Sequence, residues 1–162
     1  MDKSIKLHGA IVNLSVPCDW KFKKPANEKV LAMFTDAGSD SGIVIGALNY
    51  SYADFKFNKE ELDYLLSDEE LRSTAKQSGT YISGKRVSVN GFPTGEILLK
   101  AQNSVLGIQM YSYKCYSYIY TGAGTAMVFF TVQSETEEHA KNMFYARLNL
   151  FRELTSRTQV KL

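Results

Sequence analysis

Cysteine and histidine are scarce in this sequence, with two of each among 162 residues. Cys18 and Cys115 lie far apart and form neither a Cys-x-x-Cys motif nor a metal-type spacing. His8 and His139 share no short helical spacing, and no Gly-x-Ser-x-Gly nucleophile motif occurs. We therefore predict no metal, no cofactor and two free, half-buried thiols. A single disulfide, or an enzyme built on a Cys–His pair formed by tertiary contact, remains the alternative.

Long apolar runs are also lacking. They reach only five residues, as in Ala126–Phe130, against the roughly 20 residues of a membrane span. The N-terminal MDKSIKLHGA has no apolar core of signal-peptide length. The sequence as written therefore predicts a cytoplasmic protein without a membrane span. A periplasmic or lipoprotein location is the alternative if a leader has been removed.

Charge of one sign is not in excess, since the net charge is +2. So small an excess does not indicate nucleic acid or an anionic membrane as the partner. The basic run Lys21–Lys24 beside Trp20 could touch phosphate, but a solvated loop is the simpler interpretation. The loop Asp36–Gly42 lacks the ligand spacing of a calcium site and is predicted to be a turn. No oligomeric state is indicated.

The length predicts one domain over residues 1–162, with a core from about 10 to 154. Apolar alternation, or short apolar runs between turn signals, predicts strands along most of the chain. The Asn90–Gly91 pair predicts a tight hairpin turn, because both residues tolerate positive φ. The predicted strands are Ala10–Val16, Val30–Thr35, Gly42–Tyr50, Lys85–Asn90, Thr94–Ala101, Leu106–Tyr120 and Ala126–Val132.

Two helical regions are predicted. Asn58 with Glu61 forms a capping-box pattern, and Ser67 restarts the helical pattern, so residues 59–78 form a broken helix or two short ones. A last helix is predicted to be capped by Ser134, with Glu137 at its third position. An apolar stripe then runs along it to Leu154.

The order of these elements predicts an α+β fold. Hairpin-linked strands imply an antiparallel sheet. Strands 42–50 and 126–132 are apolar at both parities, which is typical of strands covered on both faces. We therefore expect an α/β/α sandwich, with an antiparallel sheet between helices.

Three segments resemble one known family. They are VPCDW (Val16–Trp20), VSVNGFPTGEI (Val87–Ile97) and LFREL (Leu150–Leu154) at the end of the last helix. Together they resemble the Mog/PsbP-like family, which includes DcrB-like proteins, over about residues 10 to 154. The resemblance implies an α/β/α antiparallel sandwich and a non-enzymatic role in binding proteins, steadying complexes or acting as a chaperone-like adaptor. It assigns no functional residue to this chain.

Tyrosine is abundant where cysteine is not, and YSYKCYSYIY (111–120) holds five of the ten tyrosines. Regular strand pairing places Tyr111 and Tyr113 on one face, and Tyr116, Tyr118 and Tyr120 on the other. A bulge at residues 114–115 would instead align all five. Only one cation lies in the run, which disfavours a nucleic-acid stacking platform. Tyrosines packed within a sheet, or a protein contact, remain.

The leading hypothesis is a non-enzymatic protein-binding or adaptor domain. A small-ligand module, with a pocket between sheet and helix, is the alternative, and a Cys/His-dependent enzyme is the third. The predicted partner is another protein rather than nucleic acid. The candidate binding residues are Trp20, Lys21, Tyr111, Tyr113, Tyr116 and Tyr118.

Overall fold

A computed structural model describes residues 2–7, 10–36, 43–52, 57–122 and 124–161. These residues form ten strands and three helices. The helices are α1 Lys59–Leu65, α2 Asp68–Lys76 and α3 Glu137–Ser156. The strands are β1 Asp2–Leu7, β2 Ala10–Ser15, β3 Trp20–Lys23, β4 Ala32–Asp36, β5 Ile43–Tyr52, β6 Thr80–Val89, β7 Phe92–Val105, β8 Ile108–Tyr120, β9 Gly124–Ser134 and β10 Gln159–Lys161.

The central feature is a seven-stranded antiparallel sheet in the order β3-β4-β5-β9-β8-β7-β6. Helix α2 packs on β6 and β7, whereas α3 packs on β8 and β9 from the opposite face. The predicted α/β/α arrangement is therefore confirmed. Residue Gly95 of β7 allows the close approach of α2, since a Cβ there would lie 2.8 Å from Cδ2 of Leu71.

Local signals placed several boundaries correctly. The Asn90–Gly91 turn has φ values of 51° and 80°, as a tight hairpin between β6 and β7 requires. The predicted broken helix is two helices, and the capping box of Asn58 and Glu61 is complete at the start of α1. The Ser67 side chain accepts a hydrogen bond from the Glu70 backbone N–H and caps α2.

The predicted start of the last helix is wrong. Ser134 pairs with Tyr111 as the final residue of β9, so its backbone is held in the sheet. The N-cap of α3 is Thr136, whose side chain makes no capping hydrogen bond, and the helix begins at Glu137. The pairing of Ser134 with Tyr111 of β8 therefore outweighs the local capping pattern that the sequence shows at Ser134.

A second, three-stranded sheet of order β1-β2-β10 lies beside α3. Its central strand was predicted, but its two partners were not. Val12 and Leu14 of β2, together with Val160 of β10, are buried in the core that α3 shares with the main sheet. The three residues of β10 are too few for periodicity to indicate a strand.

The largest core cluster lies between α3 and the main sheet. Phe130 of β9 stacks on Phe151 with ring centroids 4.5 Å apart, and Phe144 lies 6.1 Å from Phe151. All three rings are at most 2% exposed. Arg147 of α3 directs its charge to Asp36, with 3.3 Å between nitrogen and oxygen. A smaller core cluster joins Leu71 to the β7 strand.

Candidate functional site

Strand β8, which carries the tyrosines, pairs without a register shift with β7 and with β9. No bulge therefore occurs at Lys114 or Cys115, and the five tyrosines are divided by parity. Tyr111 and Tyr113 face α3, as does the buried Cys115. The side chains of Tyr116, Tyr118 and Tyr120 project from the opposite face, where α2 packs on β6 and β7.

The α3-side tyrosines form part of the protein's internal framework. Tyr113 is 4% exposed, and its hydroxyl donates to Oε1 of Glu137 over 3.1 Å. Lys100 Nζ donates to the same oxygen at 2.8 Å. Burial, and then Glu137, raise the pKa of Tyr113, while the hydrogen bonds from Lys100 and Tyr113 lower the pKa of Glu137. These contacts join β7 and β8 to the first turn of α3. Tyr111, at the edge of this region, is half-buried.

Trp20 also points to the α3 side. The Trp20 backbone N–H donates to the Pro17 carbonyl over 3.2 Å, which closes the turn before β3. Its indole ring is 9% exposed and lies edge-on to Phe130, with centroids 6.3 Å apart. The next residue, Lys21, is exposed and has the opposite parity. The six predicted binding residues are therefore divided between two faces.

On the other side of the main sheet, half-buried aromatic and polar residues form a continuous patch on β8 and β9. Tyr116 contacts Tyr118 and Phe129 edge-on, at centroid distances of 6.3 and 5.7 Å. We call this patch the tyrosine face. It consists of Lys114, Tyr116, Tyr118, Met127, Phe129 and Thr131.

The strands on this side of the sheet carry lysines near the tyrosine face. Strand register aligns Lys21 of β3 with Thr35 of β4, and through β5 with Thr131 and Lys114. Lys23 occupies the next equivalent position of β3. No Asp or Glu lies at this parity in the described residues of β3, β4, β8 and β9. The tyrosine face therefore combines apolar rings with a cation and lies in register with Lys21 and Lys23 of β3, and it was missed as a unit because its members come from two strands whose register is set only by their pairing.

The hydroxyls of Tyr118 and Tyr120 remain protonated at neutral pH. Burial is the main cause that raises the pKa of Tyr118 to about 12, with smaller contributions from Tyr116 and Tyr120. Burial also raises the pKa of Tyr120, whose ring meets Phe57 at 5.5 Å. These two hydroxyls can therefore donate hydrogen bonds to a bound group.

Neither cysteine forms a disulfide, and their surroundings differ: Cys18 is exposed and Cys115 is buried. Burial, and then the nearby Glu96, raise the pKa of Cys115 to about 12. Since the thiolate is the nucleophilic form, Cys115 is a poor nucleophile at neutral pH. His139 is half-buried at the start of α3, and His8 lies outside the described residues, as does most of the loop Asp36–Gly42.

A narrow cleft lies between the main sheet and α3, where the alternative hypothesis places a ligand. Glu96, 6% exposed, accepts from Arg152 Nη2 at 2.7 Å and from Nε at 3.1 Å, and Lys85 lies 3.7 Å away. Glu96 is the main cause that raises the pKa of Arg152. The cleft measures about 190 Å³, whereas sites for drug-sized ligands measure roughly 300–1,000 Å³.

In the described part of the chain, no three His, Cys, Asp or Glu side chains are grouped so as to hold a metal ion. None of the three helices described has the length and the hydropathy needed to cross a bilayer.

Solved structures of two other proteins have a similar fold. LpqN, described as involved in cell envelope biogenesis of Mycobacterium tuberculosis, matches with a TM-score of 0.52 and 14% identity, over 100% of this chain and 91% of LpqN. Cyanobacterial PsbP (CyanoP) from Synechocystis sp. PCC 6803 matches with a TM-score of 0.53 and 12% identity, over 93% of this chain and 86% of CyanoP.

These matches confirm the resemblance predicted from the sequence at the level of the fold, which is Mog/PsbP-like. No family model and no curated protein matches the sequence itself. The comparisons therefore place the chain among proteins of this architecture without assigning it an activity.

Proposed function

We propose that this domain is a non-enzymatic adaptor or chaperone-like module that binds a protein partner on the tyrosine face. The observation that carries the proposal is the composition of that face, where Tyr116, Tyr118 and Phe129 lie half-buried beside lysines. Tyrosine supplies a large contact area together with a hydroxyl donor, and it is enriched at protein interfaces.

The chemistry of the face indicates the kind of partner. The apolar rings favour aliphatic or aromatic side chains, and Lys21, Lys23 and Lys114 favour carboxylates. We therefore expect an acidic segment with apolar residues. Of the residues predicted from the sequence, Lys21, Tyr116 and Tyr118 are on this side of the sheet and are the proposed contacts. Trp20 and Tyr113 contribute by supporting the sheet beneath it.

The proposal is tested by comparing wild type with the double variant Tyr116→Ser/Phe129→Ser. Tagged wild-type protein is used to recover partner proteins from the native cells, and each recovered protein is then produced in recombinant form. Calorimetry measures its dissociation constant with the wild type and with the double variant. We expect the double variant to lose at least tenfold in affinity. Tyr64→Ser is the matched control, since Tyr64 is 62% exposed on α1. Equal affinity for wild type and the double variant would exclude this face.

The environment of Cys115 supports a non-enzymatic role, because its thiol is buried and protonated. The third hypothesis, a Cys/His enzyme, would then have to depend on Cys18, which lies in the turn before β3. A Cys18→Ser variant that keeps full partner affinity agrees with the binding role. A time-dependent covalent adduct with an acylating substrate at Cys18 would contradict it.

A small-ligand module remains the second candidate, and one observation favours it. The Thr155 hydroxyl lines the cleft beside Arg152, is buried, and forms no hydrogen bond with any described residue. Native mass spectrometry of protein purified without denaturation would show a retained mass, and Thr155→Val would remove it. If no mass is retained, the cleft serves only to pack α3 on the sheet.

The compartment is part of the proposal. An extracytoplasmic location is suggested by LpqN, which is described as involved in cell envelope biogenesis, and a cytoplasmic location is the alternative. Fractionation of the native cells, with the protein detected by antibody, decides between the two.

A further inference from the structure

The hairpin formed by β7 and β8 extends beyond the sheet. Strand β6 pairs with β7 only up to Lys100, and β9 pairs with β8 only up to Tyr111. Beyond these points, towards the hairpin turn, β7 and β8 still pair with each other. This pairing runs from Ala101 with Ser112 to the last pair, Val105 with Ile108. In the described residues, no strand pairs with the outer edges of this segment. We call residues 101–110 the projecting ribbon.

The ribbon ends in an unfavourable turn. Leu106 and Gly107 have φ values of 52° and 81°. The other tight hairpin has nearly the same backbone at Asn90 and Gly91, with 51° and 80°. Asparagine and glycine are the residues that this turn favours, whereas a leucine Cβ clashes in the left-handed region. The two turns thus have the same backbone conformation, but one has the suitable residue Asn90 where the other has the strained residue Leu106.

The strained residue gains nothing from packing within this chain. Leu106 is 99% exposed, and the flanking Val105 and Ile108 are 43% and 50% exposed. No charged residue occurs between Lys100 and Lys114. Exposed strand edges are normally protected by charge, so an uncharged ribbon with an apolar tip is an unusual surface.

The ribbon continues the tyrosine face. Because β8 is regular, Ile108 and Met110 have the same parity as Tyr116 and Tyr118. From Ile108 to Tyr118 the strand extends about 33 Å, at roughly 3.3 Å per residue. The opposite side of the ribbon is polar but uncharged, and there Gln109 donates to the Asn103 carbonyl at 3.0 Å. The apolar groups therefore lie at the tip and on the side of the tyrosine face.

We propose that the tip of the projecting ribbon inserts Leu106, flanked by Val105 and Ile108, into an apolar pocket of the protein partner that covers the tyrosine face. This inference rests on the proposed function and extends its surface. A protein is favoured over a lipid bilayer because residues 101–113 hold no Lys or Arg for headgroup phosphates, and weak apolar insertion needs such a second signal. The open strand edges can also hydrogen-bond with a strand of a protein partner.

Two matched substitutions test the proposal. Leu106→Asn gives the turn the residue it favours, so we expect a higher unfolding midpoint but at least tenfold weaker binding of the partner. Asn90→Leu makes the reverse change in the other hairpin, so we expect a lower midpoint and unchanged affinity. Loss of binding with a gain in stability cannot result from misfolding.

A photo-crosslinking amino acid at position 106, and at position 90 as a control, identifies what touches the tip in native cells. The crosslinked protein is then purified, and calorimetry with wild type and both variants measures its affinity. A crosslink at 106 alone, with weaker binding by Leu106→Asn, supports the proposal. If no protein crosslinks at 106, or if Leu106→Asn binds equally well, the proposal is wrong.

The failure of this inference can be distinguished from the failure of the proposed function. A complex that Tyr116→Ser/Phe129→Ser disrupts and Leu106→Asn leaves intact removes the ribbon from the interface but keeps the tyrosine face. Sedimentation with vesicles of phosphatidylcholine, alone and mixed with phosphatidylglycerol, tests the bilayer. Vesicle binding that depends on Leu106 would overturn the protein-pocket assignment.

Discussion

On the α3 side of the main sheet, alternate residues of β9 from Gly124 to Ser134 are all buried, whereas the five between them are only half-buried. The difference follows from the helices. α3 has 20 residues and an apolar stripe that spans β8 and β9. α1 and α2 have seven and nine residues, and α2 packs over β6 and β7.

The comparison separates stability from interaction. Aromatic rings occur on both sides, but Phe130, Phe144 and Phe151 are enclosed, while Tyr116 and Phe129 keep part of their surface in solvent. The enclosed rings contribute apolar burial to folding. The half-buried rings retain surface that a partner can cover. The four predictions below test this contrast, beginning with the largest effect.

Removing one large ring from each side should have unequal effects on stability. Phe151→Ala leaves a cavity against Phe130, and we expect a loss of about 3–5 kcal/mol in the free energy of unfolding. Phe129→Ala should cost roughly half of that or less, because the ring is already partly solvated. Urea unfolding of both variants measures this. Equal losses would show that the two sides are packed equally well.

Alkaline pH should also distinguish the two sides. The folded-state pKa of Cys115 is raised from 9.0 to about 12 and that of Tyr118 from 10.0 to about 12. A raised folded pKa gives stability that is fully present below the unfolded pKa and is lost as pH rises through the folded pKa. At about pH 10.5 the Cys115 contribution to this loss should be about 2 kcal/mol.

The measurement is urea unfolding at about pH 8 and about pH 10.5. Cys115→Ala should remove most of the pH-dependent loss, and Tyr118→Phe should remove less because its reference pKa is higher. A Cys115→Ala protein with the wild-type pH dependence would contradict the assignment to the buried thiol.

Helix α1 should be separable from the rest of the fold. Asn58→Ala removes the capping box of α1, a helix that contains no buried residue. We expect α1 to lose about 1 kcal/mol of local stability. Hydrogen exchange should become faster at residues 59–65 and stay unchanged in α3. Lys59→Ala is the control, and faster exchange throughout the chain would show that α1 is coupled to the core.

The smallest effect is a gain on the α3 side. The N-cap residue Thr136 has extended backbone angles but no side-chain capping bond. Asparagine is a better N-cap than threonine, so Thr136→Asn should stabilise the protein by about 0.5 kcal/mol. The thermal midpoint reports the change. Thr136→Ala, which offers no acceptor, should give no gain, and a gain in that variant too would rule out capping as the cause.

Short-range patterns predicted much of the fold. The Asn90–Gly91 turn, the cap at Asn58 and the restart at Ser67 depend on residues within three or four positions, and all three are confirmed. The parity of the tyrosines followed from the two-residue period of a strand, once β8 proved to be regular.

The candidate site was predicted less well. The sequence identified Tyr116 and Tyr118 correctly as neighbours, but grouped them with Trp20 and Tyr113, which are buried on the opposite side. The members of the tyrosine face that come from β9 are Met127, Phe129 and Thr131, and β9 pairs with β8 only in the folded sheet. No local pattern states which strands become neighbours.

The sequence by itself determined seven of the ten strands described, the helical regions, the tight turn at Asn90–Gly91, the two capped helices and the α/β/α class, because these follow from backbone preferences and apolar periodicity. Only the tertiary structure decided which tyrosines are enclosed, that Arg152 pairs with Glu96 across 56 positions, and that α3 begins at Glu137 rather than earlier. These outcomes depend on contacts between distant segments. Their free energies exceed local preferences only when the whole sheet is assembled.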